Sequence, residues 1–371
     1  MTTTLEDPSL QILIARVQAA RVNNTPLCIR GGGTKDFYGE SRRGEVLDTR
    51  VLAGISSHQP SELVITARCG TSLAELEAVL AEKGQCLPFE PPHFAGDESG
   101  GSTVGGMVAA GLAGPSRAQV GSVRDYLLGV TLLNGAGEVL NFGGQVIKNV
   151  AGYDVSRLLA GSLGTLGVIL EVSLKVLPCA PATATLCFQM NEAAALKQLN
   201  LWGGLPLPIN ASTWWNDTLV LRLRGANAAV EAATRKLGGE VVPAAEASVF
   251  WTGLRDQSDE FFVAARAAVA AGASLWRVSV PQTAAPLALA GESLIEWGGA
   301  QRWLLCEAGR GDALRAAAMK AGGHATLFRA NDKSGGVFTP LTAPLDGVHR
   351  EMKRSFDPAG IFNPGRLYPG W

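Results

Sequence analysis

The sequence predicts an α+β fold in two main parts, residues 1–178 and 179–330, followed by a separate tail, 331–371. Three observations predict it. In the first part, apolar runs of strand length end repeatedly in glycine clusters. After Pro178 the pattern reads twice as strand–helix–strand–strand–helix–strand, the order of a split βαβ module and a sign of internal duplication. The tail is rich in turn residues, ending in Phe356-Asp357-Pro358-Ala359-Gly360-Ile361-Phe362-Asn363-Pro364-Gly365-Arg366.

Each element follows from spacing and punctuation. Leu10, Leu13, Ile14 and Val17 recur at helical intervals, predicting a helix over 8–22. Pro26 to Arg30 reads as a buried strand running into Gly31-Gly32-Gly33, with further strands over 45–49 and 63–68. Thr71 or Ser72 starts a helix that ends at Lys83-Gly84, with Glu75 as the capping-box acid. Residues 88–121 form a long loop of Pro, Gly, Ser and Ala, which in a compact domain points to function. Within it, Met107 to Ala113 reads as a small-residue helix. Strands follow over 127–133 and, past the turn Asn134-Gly135-Ala136-Gly137, beyond it; another spans 168–176. The first repeated unit runs over 183–242 with helices near Ala193 and Ala229, the second over 275–328 with helices near Pro286 and Ala316. Adjacent Trp214 and Trp215 on a strand face opposite sides.

Composition narrows the function. With 32 basic and 33 acidic residues there is no electrostatic pull towards nucleic acid or acidic lipid. The amino terminus lacks the basic and apolar regions of a signal peptide, and the apolar stretch 158–172 is broken by Gly161, Gly164, Gly167 and Glu171. No direct membrane insertion is therefore expected; the expected location is cytoplasmic, reaching the inner membrane face only through partners. The six cysteines form no C-x-x-C pair, which removes an iron–sulfur or structural zinc site and leaves no expected metal. They read as free, buried thiols in a reducing compartment.

Three glycine clusters carry the chemistry: Arg30-Gly31-Gly32-Gly33-Thr34-Lys35, the run from Gly100 through Ser102-Thr103-Val104-Gly105-Gly106 to Met107, and Gly161 to Ile169. A diphosphate has to be approached by several backbone N–H groups, which side chains would block, and positive φ is often needed to aim them. A helix start beyond the second cluster would add a favourable dipole. Neither G-x-G-x-x-G after the first strand nor a Walker A sequence is present, so Rossmann and P-loop sites are not supported.

At these residues the sequence resembles the flavoprotein family named for vanillyl-alcohol oxidase and p-cresol methylhydroxylase. The resemblance rests on Arg30 to Lys35, Ser102 to Gly106, Gly121 to Val130 around Arg124-Asp125, Gly161 to Ile169, and Asp357 to Gly365. Lys148-Asn149-Val150-Ala151-Gly152-Tyr153-Asp154 is similar to the branch of D-2-hydroxy-acid dehydrogenases and glycolate oxidases, and the short length is most similar to its smaller flavin subunit. The resemblance implies a two-part FAD-binding domain with a returning tail and an α+β cap between. It implies FAD held by Arg30, Gly31, Gly32, Gly33, Thr34, Lys35, Ser102, Thr103, Val104, Gly105 and Gly106, with Gly167, Val168 and Ile169 on the adenine or isoalloxazine side. The implied partners are a larger FAD-binding catalytic subunit and an iron–sulfur subunit, with a 2-hydroxy acid such as glycolate oxidised to glyoxylate in the complex.

Departures sharpen this expectation. Thr34 stands where covalent members often carry histidine, so the FAD is expected to be non-covalent. The motifs H-x-G-D-x-N and E-H-G-x-G are absent, and Leu163 replaces the usual Glu of the third loop, so no catalytic residue is assigned. His93 reads as a solvated loop histidine, His324 as thin support for a general base, and Arg124-Asp125 as a structural ion pair. A self-sufficient FAD-dependent D-2-hydroxy-acid dehydrogenase and an assembly subunit with a silent FAD stay open as alternatives.

Overall fold

The computed structural model describes residues 6–94, 101–144 and 154–371. Gly100 and the run Lys148 to Tyr153, both part of the motifs above, lie outside the described residues. Helix α1 (Pro8–Asn23) is capped by Asp7, whose carboxylate accepts from the Ser9 amide, and buries Leu10, Leu13 and Val17 as its spacing requires. Strands β1 (Leu27–Arg30) and β2 (Glu45–Asp48) pair in parallel. Then come β3 (Ile55–Gln59), β4 (Val64–Arg68), α2 (Leu73–Ala81), the two-residue β5 (Gln85–Cys86), α3 (Val104–Ala110), α4 (Arg117–Val120), α5 (Val123–Tyr126), β6 (Leu127–Leu133), β7 (Val139–Gly143), β8 (Val168–Lys175) and β9 (Leu177–Pro178). Five of these strands form an antiparallel sheet in the order β3-β4-β8-β6-β7.

The chain continues through β10 (Ala182–Gln189), α6 (Glu192–Gly203), β11 (Ile209–Trp215), β12 (Thr218–Gly225), α7 (Asn227–Leu237), β13 (Glu240–Val242), α8 (Ala244–Asp256), α9 (Glu260–Ala270), β14 (Ser274–Ser279), β15 (Glu292–Glu296), β16 (Gln301–Cys306), α10 (Gly311–Lys320), β17 (His324–Arg329) and α11 (Ala343–Phe356). Its strands make one eight-stranded antiparallel sheet in the order β13-β10-β12-β11-β15-β16-β14-β17. The order is two split βαβ units joined edge to edge through the second strand of each, β11 and β15. This is the α+β fold that the sequence predicts. Among the described residues no helix is long and apolar enough to cross a membrane.

Several expectations are corrected in detail. The second unit has no helix near Pro286. Pro281 and Pro286 remove amide donors, and the buried Arg302 guanidinium takes the carbonyls of Ala284 and Ala285 at 2.6 and 2.7 Å. Helix α3 begins three residues before Met107, because the Thr103 hydroxyl caps it at Gly106 N–H, and it ends at Gly111 in the left-handed region. The capping box on α2 does not form: Thr71 turns instead to both backbone groups of Gly54, and the Leu73 amide is capped by the Ser102 carbonyl. Among the described residues Asp125 is not ion-paired with Arg124; it closes a capping box with Ser122 at the start of α5. The cysteines are all free but not all buried: Cys86 and Cys187 are half-buried and Cys179 is exposed.

Two packing features position the site. The tail joins β1 through a single parallel bridge, Phe362 beside Leu27: Leu27 N–H donates to the Ile361 carbonyl at 2.7 Å, and Asn363 N–H returns to Leu27 at 2.9 Å. On the opposite side, Tyr38, Phe94, Ala110, Leu112 and Leu163 share one core with Trp251, Phe261, Phe262, Trp303 and Phe328 of the large sheet and its helices. Trp214 packs into the other face of that sheet, and its neighbour Trp215 against Phe261, so the pair divides as expected.

Candidate functional site

The ends of β1, β4 and β8 converge on one cavity, a concave site of the kind that takes a small molecule or cofactor. Its floor is the loop 31–35. At Gly31 a β-carbon would lie 2.3 Å from the Thr103 hydroxyl, so only glycine lets the first loop approach the second. At Gly33, φ is +75° and a β-carbon would meet the Arg30 guanidinium at 2.2 Å. Among the described residues no acceptor is bonded to the amides of Gly33, Thr34 and Lys35. Successive amides left open in a turn of this kind suit a negatively charged group.

The cavity is bordered by Arg30 to Lys35, Thr103, Gly105, Gly106, Gly167 and Ile169, so most residues singled out by the sequence meet at one place. Three do not border it. Val104 and Val168 are fully buried in the domain core, because α3 and β8 turn alternate side chains inward. Ser102 stands behind the wall: its hydroxyl accepts from Lys35 Nζ at 2.8 Å, bonds Thr34 Oγ1 at 2.9 Å and donates to the His93 carbonyl. The expected dipole at the start of α3 is also spent within the chain. Val104 N–H donates to Thr71, Gly105 N–H to Cys69 and Gly106 N–H to the Thr103 hydroxyl. The second glycine cluster therefore supplies room rather than donors.

Sequence reasoning missed further walls. Asn363 reaches the cavity from the tail, accepting from Ile29 N–H at 2.8 Å and donating to the Leu163 carbonyl at 2.6 Å, which ties the first loop's strand to the third loop. Arg366 also borders it, anchored on the carbonyls of Asp36, Tyr38 and Glu40. Both lie in the carboxy-terminal motif, whose side-chain reach only the returning strand reveals. Four cations border the cavity (Arg30, Lys35, Arg42 and Arg366) against one carboxylate, Asp36, which already pairs with Arg30 at 2.9 Å and Arg42 at 2.6 Å. Burial pushes the Lys35 amine down to about 8, with distant Asp256 opposing the shift, while its ammonium sits 5.4 Å over the Phe94 ring. The wall is thus electropositive and suited to an anion.

No histidine borders the cavity. His58 bonds Gln85, His93 pairs with Glu77 at 2.9 Å, His324 is exposed on edge strand β17, and His349 packs on Trp371. His93 is thus tied down rather than free in solvent. The Cys69 thiol at the cavity wall is pushed up to about 12 by burial and is no base at neutral pH. The large sheet and the segment after it pack on residues 37–39, which follow the first loop, and among the described residues the sheet itself does not border the cavity. Arg277 donates to the Tyr38 hydroxyl at 3.1 Å, and Lys333 Nζ donates to the carbonyls of Phe37 and Gly39 at 2.6 and 2.8 Å. Beside this seam, Glu296 is fully buried and its carboxyl is pushed up to about 7, burial outweighing the bonds from Trp303 and Gln301.

Residues 9–143 match the family of FAD binding domains. The chain is 46% identical to glycolate oxidase subunit GlcE of Escherichia coli (strain K12) over 358 residues, 96% of this chain and 97% of that protein. A D-lactate dehydrogenase of Archaeoglobus fulgidus is 33% identical over 166 residues, 44% of this chain and 36% of that protein. Among solved structures, alkyldihydroxyacetonephosphate synthase superposes with a TM-score of 0.63 at 16% identity, covering 95% of this chain and 75% of that one. With the fold, the glycine-walled cavity and these matches in hand, the chain belongs to the FAD-binding oxidoreductase family of the vanillyl-alcohol oxidase fold that includes glycolate oxidase subunit GlcE.

Proposed function

We propose that this chain is the FAD-binding subunit of a glycolate oxidase complex, in which a larger FAD-binding subunit oxidises glycolate to glyoxylate and an iron–sulfur subunit takes the electrons onward. The observation that carries this reading is a cavity built for a dinucleotide anion but bordered by no histidine. The likeness to subunit GlcE along almost the whole chain supports it.

The residues fit FAD. The open amides of Gly33, Thr34 and Lys35, with the Lys35 ammonium, would hold the diphosphate; Gly31, Gly105 and Gly106 would leave it room; Gly167, Ile169 and Asn363 would border the ring systems. Thr34 offers no nucleophilic ring nitrogen, so the cofactor is held without a covalent bond at that position. FAD supplies reversible two-electron chemistry when bound. The chain's own part is to bind and orient it. Abstraction of a hydroxyl proton needs a base of suitable pKa within reach, and among the described residues the cavity offers none: Asp36 is held between two arginines and Cys69 stays protonated.

Two measurements test the reading. Purified chain should bind FAD one to one; a colourless protein that ignores added FAD sinks the idea. Glycolate or D-lactate should leave that flavin oxidised until the larger subunit is added, whereas bleaching of the isolated chain would establish the self-sufficient dehydrogenase instead. Activity of the complex that survives Gly32→Trp or Gly105→Trp, with FAD lost, would mark a silent cofactor.

A further inference from the structure

Helix α8 ends on Asp256, where the negative end of the helix dipole disfavours a carboxylate. Its oxygens are engaged outside the helix backbone. Arg255 grips both, Nε donating to Oδ1 at 3.0 Å and Nη2 to Oδ2 at 2.8 Å, and Oδ1 also accepts the His93 amide at 2.9 Å. That last bond crosses from the eight-stranded part of the chain to the loop ahead of the second glycine cluster.

His93 is a junction of three elements. Besides its amide, its ring is held by Glu77 of α2 at 2.9 Å, and its carbonyl takes the hydroxyl proton of Ser102. A hydroxyl has one proton to give. With that proton committed to His93, the Ser102 oxygen accepts from Lys35 Nζ at 2.8 Å and from the Thr34 hydroxyl at 2.9 Å. Asp256, His93, Ser102 and Lys35 thus form one directed chain from α8 to the cavity wall, although Asp256 itself does not border the cavity.

Charge points the same way. Among the described residues no carboxylate bonds the Lys35 ammonium, whose acceptors are the hydroxyls of Ser102 and Thr34. Asp36 of its own loop is taken by Arg30 and Arg42, and Arg366 borders the cavity from the tail. Arg329 of β17 approaches the same Phe94 ring as Lys35, at 5.8 and 5.4 Å from its centroid. Against burial, Asp256 is the charge that favours the ammonium.

We infer that Asp256 is a positioning residue for the FAD cavity: through His93 and Ser102 it holds the Lys35 ammonium in place, and it balances that charge from outside. The eight-stranded part of the chain thereby contributes to cofactor affinity without touching the cavity. The inference rests on the FAD reading for its ligand, but the state of Lys35 can be read without FAD.

The test acetylates Lys35 in the full-length apoprotein with N-acetoxysuccinimide across a range of pH, read by peptide mass spectrometry, and titrates FAD into the same proteins. Asp256→Asn keeps an acceptor for the His93 amide and removes the charge; Asp256→Ala removes both. In both variants half-maximal acetylation should move below the wild-type midpoint of about 8, because the ammonium has lost its counter-charge. Well below that pH, D256A should bind FAD about threefold more weakly or worse, while D256N stays near wild type. The D256A loss should vanish in a Lys35→Met background, where the chain has no ammonium to hold. A midpoint unmoved in both variants, or a D256A loss that persists undiminished beside K35M, overturns the inference. A wild-type chain that ignores FAD would sink the FAD reading alone, and the acetylation midpoints would still decide for or against Asp256.

Discussion

Gly31 and Lys35 shape the same wall by opposite means, one through the absence of a side chain and the other through a buried charge. Gly31→Ala places a methyl where the Thr103 hydroxyl lies and displaces the cap of α3. Loss of such a cap costs about 1 kcal/mol, and with the lost fit FAD should bind at least about tenfold more weakly; fluorescence titration of apoprotein reads the change, and an unaltered Kd contradicts the assignment. Lys35 has a folded pKa of about 8, below its ordinary 10.5. Its depressed value penalises the apoprotein fully below pH 8, and the penalty fades as pH rises from 8 towards 10.5. FAD reverses the preference, because the diphosphate favours the ammonium. Affinity should therefore fall as pH rises through about 8 and upwards, and Lys35→Met should bind weakly at every pH, losing the roughly 1.5–3 kcal/mol of a charged hydrogen bond. A K35M titration that keeps the wild-type pH profile would remove Lys35 from the site.

At the scale of elements, the returning tail is held by a buried ion pair. Lys353 on α11 donates to Asp357 at 2.6 Å and to the carbonyls of Thr165 and Phe362 at 2.7 and 2.8 Å, while Asp357 also accepts from the amides of Ile361 and Phe362. One lysine thus ties the helix, the third glycine loop and the tail segment bridged to β1. Breaking a buried pair from one side costs about 3–5 kcal/mol, since the remaining charge keeps its desolvation cost. Asp357→Asn should lower the urea midpoint by a corresponding amount with the slope unchanged, and should loosen FAD, because Asn363 is positioned by the same strand. Removal of Asn363 itself (Asn363→Ala) leaves Ile29 N–H and the Leu163 carbonyl without their partner, about 1–3 kcal/mol each where buried; a melting temperature equal to wild type would rule out its role as the tie.

Across the whole molecule, the two sheets are joined by charge as well as by the aromatic core. Glu90 holds φ +47° and lies under Arg222, which stacks over Trp251 at 4.8 Å. Burial would raise the Glu90 carboxyl, yet Arg222 and Arg224 keep it below its ordinary value. Arg222→Ala should uncouple the two sheets, splitting a single calorimetric transition into two; one unsplit, unshifted transition would show the latch to be dispensable. Glu296 gives the seam a pH dependence of the opposite sign to Lys35. Its folded pKa of about 7 exceeds the ordinary 4.5, so its contribution is present in full below pH 4.5 and is lost as pH rises to 7. At about 1.4 kcal/mol per unit this amounts to roughly 3 kcal/mol, and Glu296→Gln should flatten stability measured across that window.

Much of this protein is local and therefore legible in its sequence. The spacing of Leu10, Leu13 and Val17 determined α1, the repeated strand–helix order determined the two joined units, and the glycine clusters with the tail motif determined the flavoprotein family. Where the reading failed, a hydrogen-bond partner outside the predicted element outbid local preference: Arg302 took the carbonyls of Ala284 and Ala285, Thr103 capped α3 early, and Gly54 drew Thr71 away from α2. Only the tertiary structure decided which glycine loop offers open amides, that Asn363 and Arg366 complete the wall, and that Val104 and Val168 turn away from it. Backbone propensity acts over a few residues, whereas hydrogen-bond partners and burial are set by chain segments that sequence order keeps hundreds of residues apart.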